Sequence, residues 1–172
     1  MENVYLGRQP ILDIDGNLNS YEVLYRDGFE PKEGTSSRFV SAAVINNVLN
    51  SFGTHEVLGN RKAFVKIDEK FLMNDLIFTI PNNFFIFSIV YVDVNDKVIK
   101  RFEQLKAKGY ELAINDIVIN EENLQKYANV LDTLSYVKID FDEDFREDSS
   151  IKSIIRSLKN NNIKVVATKV ED

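Results

Sequence analysis

The chain has 172 residues, 44% of them hydrophobic and 28% charged, with a formal net charge of −6. This is the composition of one globular domain with a sizeable core, and its acidity weighs against a nucleic-acid partner, which would need a basic footprint. The absence of cysteine excludes disulfides, thiolate catalysis and Cys-based zinc. With no apolar run in the opening "MENVYLGRQP", we expect a cytoplasmic protein that does not enter a membrane.

In chain order, two short alternating runs at about 4–13 and 18–26 meet at Asp15 and Gly16, the pattern of a β-hairpin. Ser36 is the expected N-cap of a helix on which Phe39, Val40, Ala43, Val44, Val48 and Phe52 recur at helical spacing, with Gly53 at its end. "KAFVKI" (62–67) predicts a strand, "DEKFLM" (68–73) a helical turn, and "FFIFSIVYV" (84–92) a buried strand. That last run is far shorter than the roughly 20 residues a membrane helix takes. A helix follows with Val98, Phe102 and Leu105 on one face and Gly109 just past its end. Next come a strand at 110–116, a helix at about 121–132 carrying Leu124, Tyr127, Ala128 and Leu131, and a strand at 136–140. Ser149 or Ser150 caps a final helix with Ile151, Ile154, Ile155 and Leu158 inward, "NNN" (160–162) ends it, and 163–170 is the last strand.

Near-continuous apolar strands alternating with helices predict a parallel sheet covered by helices. That leaves a barrel or an open sheet; a complete (β/α)₈ barrel typically takes about 250 residues, so as a barrel the single domain over residues 1–172 is expected to be one or two βα units short. In such folds chemistry sits at the carboxyl ends of the strands. Those ends carry Glu22 and Arg26, Lys66 and Asp68, Ser88 and Tyr91, Asn115 and Asp116, Lys138 and Asp140, and Thr168 with Lys169. A period of two puts Glu22, Leu24 and Arg26 on one face of their strand and Tyr21, Val23 and Tyr25 on the other. Other polar features read as ordinary surface. His55, the single histidine, has no carboxylate pattern beside it and is expected in a surface loop, and the acidic run 140–148 lacks the glycine and spaced glutamate of an EF-hand. The phenylalanines at 84–87 are expected in the core.

The order of these segments resembles the EAL domain, the cyclic-di-GMP phosphodiesterase fold, over essentially the whole chain. "RQPILDIDGN" and "YEVLYR" match the family's "QPI" strand and "YEALxR"; "FVKID" stands for "FVNLS", "FSIVYVD" for "LEITES", "AINDIV" for "ALDDFG", "VKID" for "VKID", and "VVATKVED" for "VVAEGVE". The opening and the closing "KVE" look like the subgroup in which an EAL domain precedes an HDOD domain. The resemblance implies a TIM-like (β/α) barrel of EAL type with an N-terminal hairpin, incomplete at its C-terminus.

Carried over position by position, the signature glutamate is Glu22, one of the paired aspartates is Asp116, and the lysine of "VKID" is Lys138. Other positions are substituted: Asn115 for the second aspartate, Lys66 for a metal-binding asparagine, Ser88 and Tyr91 for two glutamates, and Thr168 for a third. Two-metal phosphodiester hydrolysis needs a carboxylate cluster, and an ammonium among the ligands repels a divalent ion. The expectation is therefore a degenerate, non-enzymatic domain that binds no metal and needs no cofactor, working as a regulatory or protein-interaction module, with Lys66 as the new partner of Glu22. The matching Gln9, Leu24 and Arg26 keep open a cyclic-di-GMP receptor, and residual phosphodiesterase activity is the third reading. The expected partners are a protein or a downstream domain such as HDOD, or a second copy pairing on the edge of strand 163–170.

Overall fold

The structure, a computed structural model, describes residues 5–26, 37–51, 53–117, 120–140 and 149–168. It divides into two compact units, Met1–Phe87 and Ser88–Asp172. The expected Ser36 cap, the run 141–148 and Lys169 lie outside the described residues.

The first unit is built on an antiparallel hairpin. Strand β1 (Tyr5–Leu12) pairs with β2 (Leu18–Arg26), in the register Arg8↔Val23, Gln9↔Glu22 and Gly7↔Leu24. The turn between them is organised by Asp13. Its carboxylate accepts from the backbone N–H of Asp15 at 3.0 Å and of Asn17 at 2.8 Å, while Gly16 takes the positive φ of 80° that closing the turn requires. These same bonds, led by that from Asn17, hold the Asp13 carboxyl below its ordinary range. Strand β3 (Ala63–Ile67) then adds to β2 in parallel, with Tyr21↔Ala63 and Glu22↔Phe64.

Helix α1 (Ser37–Asn46), prolonged by a wider turn at Asn47–Ser51, packs on β2 and β3 and buries Val44, Ile45 and Val48. A short helix absent from the sequence reading, α2 (Thr54–Leu58), follows Gly53 and carries His55 exposed on its surface, so the histidine is helical rather than in a loop. Helix α3 (Glu69–Leu72) is capped by Asp68, whose side chain accepts from the Phe71 N–H at 2.8 Å. A 3₁₀ turn over Asp75–Thr79 buries Ile77. Strand β4 (Phe85–Ile89) straddles the boundary between the units and is buried at every position. It stops three residues short of the expected Val92, because Val90 and Tyr91 leave the apolar interior and face solvent.

In the second unit three parallel strands lie side by side: β5 (Glu111–Ile117), β6 (Tyr136–Asp140) and β7 (Lys164–Thr168). Helix α4 (Asp96–Ala107) starts on the Asn95 cap, buries Val98, Phe102 and Leu105, and ends in a Schellman motif. In that motif Tyr110 N–H reaches the Leu105 carbonyl at 3.0 Å, Gly109 N–H reaches Lys106 at 2.9 Å, and Gly109 adopts φ 80°. Helix α5 (Glu121–Lys126) is shorter than expected and continues as a 3₁₀ segment over Ala128–Thr133. Helix α6 (Ser149–Asn160) ends in the same 6→1 and 5→2 pattern as α4, with Asn162 at φ 61° in place of glycine. Both turns return the chain directly into a parallel strand, which is what lets short connections feed the sheet.

Candidate functional site

Each unit carries its own group of strand-end polar side chains. In the first, the antiparallel register sets Gln9 opposite Glu22, and the parallel register sets Glu22 beside Phe64. Lys66 lies two residues beyond Phe64 and therefore shares its face. The consequence is a diagonal ion pair between adjacent strands. Lys66 Nζ lies 3.8 Å from Glu22 Oε1, with the glutamate side chain only 11% exposed and the lysine 43%. A carboxylate held that deep needs a cation or donors close by, whereas an ammonium nearly half in water keeps much of its hydration. The pair itself is therefore worth under about 1 kcal/mol, and its main effect is to set the local charge. Gln9 is exposed and Leu24 half-buried on the same face, while the side chain of Arg26 lies outside the described residues. The opposite face is fixed by Arg8, which sequence reasoning passed over: its guanidinium stacks 4.5 Å from the Tyr21 ring centroid and donates to the Val57 carbonyl.

In the second unit, registers Ala113↔Tyr136 and Tyr136↔Lys164 carry one face across the three strands. On that face Lys138 pairs with Val166 and Asp140 with Thr168. Lys138 is buried, and the Thr168 hydroxyl donates to the Ile139 carbonyl at 3.0 Å. Between Ile114 and Ile117 strand β5 spends three steps where β6 takes two, so one extra residue bulges out at Asn115–Asp116. Ser88, fully buried, donates from Oγ to Asn115 Oδ1 at 2.9 Å. Tyr91 stands apart from this group, beyond the end of β4 and 72% exposed. It lies near Tyr127, whose phenol is pushed up by burial first and by Tyr91 second. The side chain of Asp116 is outside the described residues.

Among the described residues, no three His, Cys, Asp or Glu side chains gather closely enough to hold a metal ion. Of the two polar pairs, one sets a carboxylate against an ammonium, and the other, buried Ser88 and Asn115, is neutral. Neither pair by itself offers the several anionic oxygens that a divalent ion seeks.

No protein-family model matches the chain. Among solved structures it is similar to an EAL domain protein from Listeria monocytogenes, with a TM-score of 0.76 and 16% identity over 99% of this chain and 79% of that one. The fold is that of an EAL domain. It follows the TIM-like (β/α) plan, and a second neighbour agrees: the Bacillus subtilis YkuI protein, solved with c-di-GMP and calcium, has a TM-score of 0.73 and 16% identity over 98% of this chain and 50% of that one. By sequence, the EAL-type chain is 28% identical over 144 residues to the cyclic di-GMP phosphodiesterase CdgJ of Vibrio cholerae, covering 81% of this chain and 32% of that protein. It is 27% identical to the uncharacterized YuxH of Bacillus subtilis, covering 80% and 34%. The chain thus spans about a third of the length of the curated relatives it matches.

The expectation of a non-enzyme is corrected by this comparison, since a relative aligned across four-fifths of the chain is named as a phosphodiesterase. The physical reason is that substitutions at strand ends describe a changed donor set and do not measure a rate, while Glu22 is still present and held in place. No helix among the described residues is long and apolar enough to cross a membrane.

Proposed function

We propose that this chain is a cyclic-di-GMP signalling domain that recognises the nucleotide on the Gln9–Glu22–Lys66 face of its first unit and works as a cytoplasmic regulatory module toward a protein partner. The observation that carries the reading is the register itself: Gln9, Glu22 and Lys66 come from three adjacent strands onto one face, with exposed Gln9 and half-exposed Lys66 within reach of a ligand. A cyclic dinucleotide presents two phosphates and two purine edges. Lys66 supplies a mobile ammonium for a phosphate, Gln9 an amide for polar edges, and Leu24 an apolar contact, with Arg26 the further phosphate ligand implied by the EAL resemblance. The names of the neighbours support this ligand: YkuI was solved with c-di-GMP, and CdgJ is named for it.

Phosphodiester hydrolysis is the second reading, favoured by retained Glu22 and by the name of CdgJ. Isothermal titration of cyclic-di-GMP into the pure protein, with product analysis of the same mixture, tests both. Saturable heat that falls at least about tenfold in affinity with Gln9→Ala supports recognition on this face. No heat with either protein rejects it. Appearance of a linear dinucleotide, abolished by Glu22→Gln, adds turnover.

A further inference from the structure

The ion pair of the first unit has a consequence for metals. A divalent ion needs anionic oxygens at about 2.0–2.6 Å, and an ammonium standing 3.8 Å from the carboxylate both competes for those oxygens and repels the ion. The other acidic side chain at the end of β3, Asp68, accepts the Phe71 N–H on Oδ1 as the cap of α3. Lys66 is also tethered. It sits on the buried strand β3, one residue before fully buried Ile67, so the charge cannot leave the site as a free ion can.

We infer that Lys66 is a built-in cation that takes the place of a divalent ion beside Glu22, so that this face engages a phosphate-bearing ligand without metal. The inference rests on the proposed nucleotide-binding reading for its ligand, but the metal behaviour follows from the Glu22–Lys66 geometry alone. The ammonium faces the glutamate, and 43% of the lysine side chain is exposed to solvent. A phosphate arriving there meets a charge already in place and needs no bridging ion.

The test has two arms on the full chain, read by thermal unfolding and titration calorimetry. In the first, calcium or magnesium chloride alone is added. Wild type and Lys66→Arg should show no saturable change, whereas Lys66→Asn, which keeps a side-chain oxygen and removes the charge, should gain a saturable rise in melting temperature reversed by EDTA. Unfolding in EDTA confirms that each variant is folded. A wild type that binds either metal overturns the inference, and so does a Lys66→Asn variant as indifferent to both as wild type. In the second arm cyclic-di-GMP is titrated with EDTA or with calcium: wild-type affinity should stay within about twofold, while Lys66→Asn in EDTA should lose about tenfold. Wild-type affinity that collapses in EDTA overturns the inference. Failure of the nucleotide to bind in every condition rejects the proposed ligand instead, and the metal-only arm still decides the role of Lys66.

Discussion

At the scale of single residues, the two polar groups differ in what their side chains must satisfy. Glu22 is a carboxylate held near the interior and faced by a half-exposed lysine, so it must find partners where it gives up water. Ser88 and Asn115 are neutral and buried, and they meet one demand between them: the hydroxyl proton is placed on the amide oxygen at 2.9 Å. Replacing Ser88 by alanine removes that donor while leaving the amide oxygen in a dry site. We expect a loss of about 1–2 kcal/mol, read as a lower urea midpoint with unchanged slope. Ser88→Cys, which preserves bulk and a weak donor, should lose less. The strand ends named these residues as candidates, and it was the EAL resemblance, with Lys66 at a metal-binding position, that set Lys66 beside Glu22. Sequence reasoning could not pair Ser88 with Asn115, because the register between those strands is fixed by long-range packing.

At the scale of elements, the chain is punctuated most firmly where one residue has a conformational duty. Gly109 ends α4 in the left-handed region, and the Schellman bonds from Gly109 and Tyr110 satisfy the last carbonyls before β5 begins. Gly109→Ala should therefore destabilise the protein by about 1–2 kcal/mol through backbone strain alone, which chemical denaturation of a variant with native circular dichroism would measure. Such signals were legible in the sequence: Gly109 and the Asp15–Gly16 turn both sit where expected. What escaped were elements too short to show a period. Helix α2 has five residues, less than two turns, and no side-chain cap bond at Gly53 to announce it. The end of β4 escaped for another reason. The apolar run from Phe84 to Val92 is continuous in the sequence, and only the exposed positions of Val90 and Tyr91 reveal that the strand has finished.

At the scale of the whole molecule, the EAL-type fold persists at 16% identity to its structural neighbours, which is enough to place strands in order but leaves each strand end free to change its chemistry. The alternation of strands and helices carried the fold in the sequence, because periodicity tolerates replacement of most individual residues. Activity is carried by a handful of positions, and for those the chain and its curated relatives overlap across only about a third of the relatives' length. A binding partner that prefers the folded state stabilises all of it. Cyclic-di-GMP at about 100 times its dissociation constant should therefore add about 2.7 kcal/mol and raise the melting temperature by about 5–10 °C, and differential scanning calorimetry at increasing ligand should follow the logarithm of concentration. A melting temperature indifferent to the nucleotide would count against recognition.

The bulge in β5 separates two kinds of inheritance. Ile114 and Ile117 stay in the ladder with β6 and are locked by their pairing to Val137 and Ile139, whereas the extra residue between them takes no part in that count. A strand built this way can rewrite its polar dipeptide without renegotiating the sheet. In a saturation mutagenesis map read by folding, Ile114 and Ile117 should accept only apolar replacements, while Asn115 should be sensitive for a different reason, its bond to buried Ser88.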